Sequence, residues 1–215
     1  MRDAFFDAWL KGETGALDAH PRVHYYVLGA DTEGAPGNEW RTAGAWPPHT
    51  AEPTAYYLHA DGSLSTARPP EEKASRSFVY DPEDPYPTHG GANLLLPSGP
   101  FDQRKYSTER DDLLKFATPP LAAPVAFTGR VKVRLHVSTD APDTDFTAKL
   151  VDIYPEPDGR EILLLDNIQR VKLRNDLSEP AALLSGPDEI VALEIDLWSM
   201  AFVFAKGHRI GLHLS

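Results

Sequence analysis

Residues 129–140, GRVKVRLHVSTD, alternate without a break. Val131, Val133, Leu135 and Val137 fall on one side of an extended chain, and Lys132, Arg134, His136 and Ser138 on the other. A helix would scatter these positions round its circumference, so the segment predicts a strand with one dry and one wet face. The pattern recurs. VHYYVLG (23–29), AYYLHADGSL (55–64), RSFVYDP (76–82), DDLLKFATPPL (111–121), DFTAKLVDIYP (145–155) and EILLLDNIQRVKLR (161–174) are short runs rich in β-branched and aromatic residues. Residues 189–215 read as two more strands, turning near Lys206 and Gly207. ADTEGAPGNEW (30–40) reads as a long turn, and 20 prolines and 15 glycines punctuate the chain throughout. Roughly eight to ten strands and almost no helix predict an all-β fold, a two-sheet jelly-roll β-sandwich. The exception is the first dozen residues. Phe5, Phe6, Trp9 and Leu10 recur there at helical spacing, with Gly12 as the stop.

Charge and composition narrow the function classes. The net charge of −11, from 21 basic and 32 acidic residues, argues against a nucleic-acid partner. No run approaches the ~18 apolar residues that a membrane-crossing helix needs, so no membrane partner is expected. The chain has no cysteine, which excludes disulfides, thiolate zinc sites and a cysteine nucleophile. Asp3 and Asp7 interrupt the apolar residues of the N-terminus, which therefore lacks a signal-peptide pattern, and a cytoplasmic location is the expectation.

Chemistry is sparse. A hydrolase nucleophile wants a serine on a strained G-x-S-x-G elbow, and no serine here stands in one. His20, His24, His49, His59, His89, His136, His208 and His213 are scattered, without H-E-x-x-H or H-x-H spacing. Asp143-Thr144-Asp145 reads as a turn that caps its own backbone rather than as a cation site. Asp152 lies inside an apolar strand, so its carboxylate must be paired, with Arg160 or Arg170 as the expected partner in a structural ion pair. His89 lies in PTHGGANLLL, where Pro85 and Pro87 stiffen the entry and Gly90 and Gly91 permit a sharp turn. With no nucleophile to serve, His89 reads as structural. Three successive leucines, Leu94 to Leu96, cannot all face one core, because neighbours on an extended chain alternate.

YDPEDPYPTHGG, GPFDQR, RDDLLKFATPPL, DTDFTAKLVDIYP, DGREILL and GHRIGLHLS follow one another in one order. Together they closely resemble the C-terminal domain of the X-prolyl dipeptidyl-peptidase and cocaine esterase family of serine hydrolases. DTDFTAKLVD and the Gly-His-Arg before the last strand are the most specific pieces. The resemblance implies a jelly roll of the galactose-binding type over residues 20–215, incomplete at its end. Residues 1–19 would be the tail helix of a preceding α/β-hydrolase domain and its linker. The Ser, Asp and His triad would lie upstream, leaving this chain inactive alone, with no catalytic residue, metal or cofactor of its own. Its partners would be its own hydrolase and cap domains, with a homodimer through the exposed interdomain surface as a further expectation. Leu94 and Leu95 would line the apolar side of a substrate cleft. The alternative is a stand-alone carbohydrate-binding module, with Trp40, Trp46, Tyr56 and Tyr57 as an aromatic rim.

Overall fold

The computed structural model describes residues 2–48, 52–70, 74–176 and 178–215. His49 lies outside the described residues. Two four-stranded sheets face each other. The first runs β2 (Glu39–Ala43), β1 (Val23–Gly29), β9 (Val191–Phe204), β6 (Val125–Val137). The second runs β5 (Leu114–Ala117), β10 (Arg209–Leu214), β7 (Asp145–Ile153), β8 (Glu161–Arg170). A small hairpin, β3 (Tyr57–Leu58) and β4 (Leu64–Ser65), turns at Asp61 and Gly62. Among the described residues α-helix is confined to α1 (Arg2–Leu10) and the single turn α2 (Arg104–Ser107). Among the described residues no helix is long and apolar enough to cross a membrane.

The alternation of 129–140 holds. Val133 and Val137 are buried while Lys132 and Arg134 reach outward to Glu194 on β9. The β6–β9 ladder runs from Val125↔Phe204 to Val137↔Val191 and forms the spine of the first sheet. From the second sheet Phe116, Ala148, Leu150, Leu212 and Leu214 meet Leu193, Ile195, Phe202 and Phe204 in one core. β9 is covered on both sides, since Ala201 and Val203 pack instead against Val27.

Three sequence readings need correction. The stretch 30–40 does not end as a turn: Glu39 and Trp40 begin β2, which pairs with β1. Residues 76–82 form no strand, because Pro82 and Pro85 deny the segment a ladder. The strand from Glu161 stops at Arg170, whose guanidinium is held by Asp143 and Asp145, and a 3₁₀ turn over Val171–Leu173 follows. The N-terminal helix is present as expected. It buries none of its residues and leaves Phe5, Phe6, Trp9 and Leu10 exposed.

Candidate functional site

Across the outer face of the second sheet, Lys115, His213, Lys149 and Asp166 stand in one row, each opposite the next in register. Such a face ordinarily meets water. Here the segment from Tyr86 to Ser107 lies over it, and Lys149 and His213 are only 5% and 1% exposed. Buried polar groups need partners, and the covering segment supplies them. Lys149 Nζ donates to Gln103 Oε1 at 3.1 Å and to the Pro87 carbonyl at 3.3 Å, with the Tyr86 ring centre 3.8 Å away. Gln103, fully buried, donates through Nε2 to the carbonyls of His89 (2.8 Å) and Phe101 (3.0 Å). Lys115 Nζ donates to both Glu161 oxygens at 2.9 and 3.0 Å and to Ser107 Oγ at 2.9 Å. His213 Nε2 is 3.3 Å from Glu161 Oε2 but misaligned, so this contact is electrostatic rather than a hydrogen bond.

The charges respond to this enclosure. Burial lowers Lys149 to about 8, against the pull of Asp166. Burial likewise raises Asp166, opposed by Lys149. It would raise Glu161 too, but His213 and Lys115 outweigh it and hold the carboxyl at about 2.

From this mount rises the loop that carries Leu94 and Leu95. Gly91 and Gly99 exchange backbone hydrogen bonds of 2.9 and 3.2 Å, closing a neck. Both neck glycines 90 and 91 take φ of +79°. A Cβ on Gly91 would lie 2.4 Å from Asp166 Oδ1, and one on Gly90 2.4 Å from the Gly99 carbonyl oxygen. His89 stacks on Phe101 and meets Tyr106 edge-on, each at 5.0 Å, so it is held by its faces as a packing residue. Above the neck, Asn93 ties Gly90 O to Leu96 N. Leu94 and Leu95 stand free at the tip, 101% and 97% exposed.

Asp152 is buried and paired, but not to an arginine. His208 Nδ1, delivered by the β9–β10 turn, meets both its oxygens at 3.0 Å. Arg170 sits opposite Asp145, at the far end of the β7–β8 ladder. Arg160 lies over the Tyr154 ring and binds Asp31 and Asp158 nearer the surface. Burial raises Asp152 to about 6, opposed by His208. A carboxyl raised in the folded state stabilises it fully below the unfolded value near 4, and that share is lost as pH rises through 6. Asp152→Ala strands a buried imidazole rather than a guanidinium, so its expected cost is about 1–3 kcal/mol, that of an unsatisfied polar group. Urea unfolding at pH 4 and pH 7 checks both points: Asp152→Asn should lose less stability than wild type between those values. An equal loss would place the titration elsewhere.

Asp143 is structural but does not cap its own turn: it accepts hydrogen bonds from Arg170 Nε and the Lys172 backbone, 27 and 29 residues on, and so ties the entry of β7 to the end of β8. Trp40 packs on Tyr26 and Trp46 on Tyr25, consecutive residues that point to opposite faces of β1. Tyr56 packs on the core, so the four aromatics form no common rim. Among the described residues, Ser65 lies beside a histidine and Ser107 beside a lysine. Ser65 Oγ is 3.0 Å from His59 Nε2, but that nitrogen also faces the Ala67 carbonyl at 3.2 Å and so carries the proton, making it a donor. Ser107 meets Lys115, whose ammonium is committed to Glu161. Neither pair has the free base that a nucleophilic serine requires.

Sequence reasoning found the tip and missed its mount. The available signal was Lys149, a second charge inside the same apolar strand as Asp152.

Residues 14–215 match the family described as the X-Pro dipeptidyl-peptidase C-terminal non-catalytic domain. The chain is 43% identical to the cocaine esterase of Rhodococcus sp. (strain MB1 Bresler), over its whole length and 37% of that protein's. It superposes on an aminopeptidase from a marine sediment Thaumarchaeota archaeon with a TM-score of 0.80 and 28% identity, covering all of this chain and 36% of that one. An alpha-amino acid ester hydrolase gives a TM-score of 0.78 at 28% identity, again over all of this chain and 36% of the other. The chain thus spans little more than a third of the length of these relatives. A two-sheet sandwich whose residues 14–215 match that family, in a chain 43% identical over its whole length to a cocaine esterase, carries one conclusion: the chain belongs to the non-catalytic C-terminal domain family of the X-Pro dipeptidyl-peptidases.

Proposed function

We propose that this chain is the cleft-shaping β domain of a serine hydrolase that acts on acyl esters, amides or X-Pro peptides. The observation that carries this is the pair Leu94 and Leu95, fully exposed on a loop whose base is built from buried polar contacts. Bare leucines on a braced support suit an apolar surface offered to a partner or a substrate. The partner is the chain's own α/β-hydrolase domain with its cap, which would hold the serine, histidine and acid. Residues 1–19 belong to the end of that domain and its linker, which accounts for a helix whose apolar residues find no cover here. In the chain by itself the leucines offer a surface for homodimerisation.

The test is made in the full-length enzyme. Leu94→Ala or Leu95→Ala should lower kcat/KM for esters with an apolar acyl group by about tenfold or more, or roughly 1–3 kcal/mol. His89→Ala should leave turnover within about twofold, since its ring packs on Phe101 and Tyr106 and its one contact at the base, from Gln103, is to the backbone carbonyl. Unchanged kcat/KM in both leucine variants would remove the loop from the cleft.

A further inference from the structure

Both limbs of the leucine loop meet at one buried amine. Lys149 Nζ reaches Pro87 O on the rising limb and Gln103 Oε1 on the falling limb. Gln103 in turn closes on His89 O and Phe101 O. The falling limb has backbone ties of its own to β8: Gln103 N donates to Glu161 O at 2.8 Å, and Leu163 N to Phe101 O at 3.1 Å. The rising limb, 86–89, reaches β7 through Lys149.

Three N–H donors of the Lys149 ammonium have three places to go: the two carbonyl oxygens and the face of the Tyr86 ring. Asp166 stands opposite on β8 but makes no direct ion pair with it. We propose that Lys149 is the positioning residue of the leucine loop, tying both limbs to β7.

The experiment uses the 215-residue chain. It has no cysteine, so Leu95→Cys carries a single nitroxide at the loop tip. In the wild-type background the tip should show the restricted motion of a seated loop. With Lys149→Met the tip should be more mobile, while circular dichroism still reports a folded sandwich and a nitroxide at Trp40→Cys, exposed on β2, keeps its wild-type spectrum. If that variant does not fold, Lys149→Met with Asp166→Asn removes both charges and serves instead. A tip as ordered as wild type, or a Trp40 label that loosens equally, overturns the proposal. Its bearing on substrate choice rests on the cleft reading above. The nitroxide measurement does not, so loop seating and cleft contact fail separately.

Discussion

Glu161→Ala should lower the unfolding free energy by about 2–3 kcal/mol at pH 7, less than the full cost of breaking a buried pair because the Lys115 side chain keeps about a third of its surface in water. The carboxylate serves three groups at once: Lys115 Nζ, Ser107 Oγ and the His213 ring. Its loss leaves an ammonium half-sheltered beneath the covering segment with only a hydroxyl for company. The pH dependence gives the claim a sign. Glu161 is held at about 2, below its ordinary 4.5. Its contribution is therefore complete above pH 4.5 and disappears as pH falls through 2. Wild-type chain should lose on the order of 3 kcal/mol over that range from this group alone, and Glu161→Gln should lack that slope. Urea unfolding at pH 7, 5 and 3 checks it. Parallel pH profiles for the two proteins would show that Glu161 is not the group responsible.

Phe204→Ala should cost about 3–5 kcal/mol, the range for deleting a large aromatic side chain from a packed core. Phe204 is 2% exposed and lies between Phe127, with ring centres 5.9 Å apart, and Phe202, at 4.9 Å. The three rings come from the paired strands β6 and β9 and face the second sheet, so the cavity would open between the two layers. Phe204→Leu keeps most of the volume and should cost less than about 1.5 kcal/mol. Chemical denaturation of both variants decides. A loss below about 1 kcal/mol for the alanine would mean that the neighbouring rings collapse into the space.

The residues of β9 also show what was legible in the sequence. The alternation of Phe202, Val203 and Phe204 announces a strand, as does that of 129–140, because every second side chain meets the same environment. That logic recovers β7, β9 and β10 almost end to end, and β6 from Gly129 on, missing its start at Val125. It fails for β2, whose residues are mostly exposed and which exists because β1 offers a free edge. It fails for 76–82 as well, where apolar composition suggested a strand that prolines forbid. At the site, local rules foretold the left-handed glycines and the outward leucines. They did not reveal that Lys149 meets Gln103, 46 residues away in the chain. A polar contact of that kind is decided by register, and register is a property of the assembled sheet. Asp152 makes the same point, since burial and pairing were readable but the choice of His208 was set by the turn that carries it.

The leucine tip and its mount depend on different residues. The neck is closed by backbone groups of Gly91 and Gly99 and the base by Gln103 and Lys149, while Leu94 and Leu95 bury nothing in this chain. Changes at these two positions therefore draw little on folding stability, and most changes at the mount draw heavily on it. Such a separation makes the tip a place where evolution or an engineer can try new side chains against new substrates without first stabilising the scaffold.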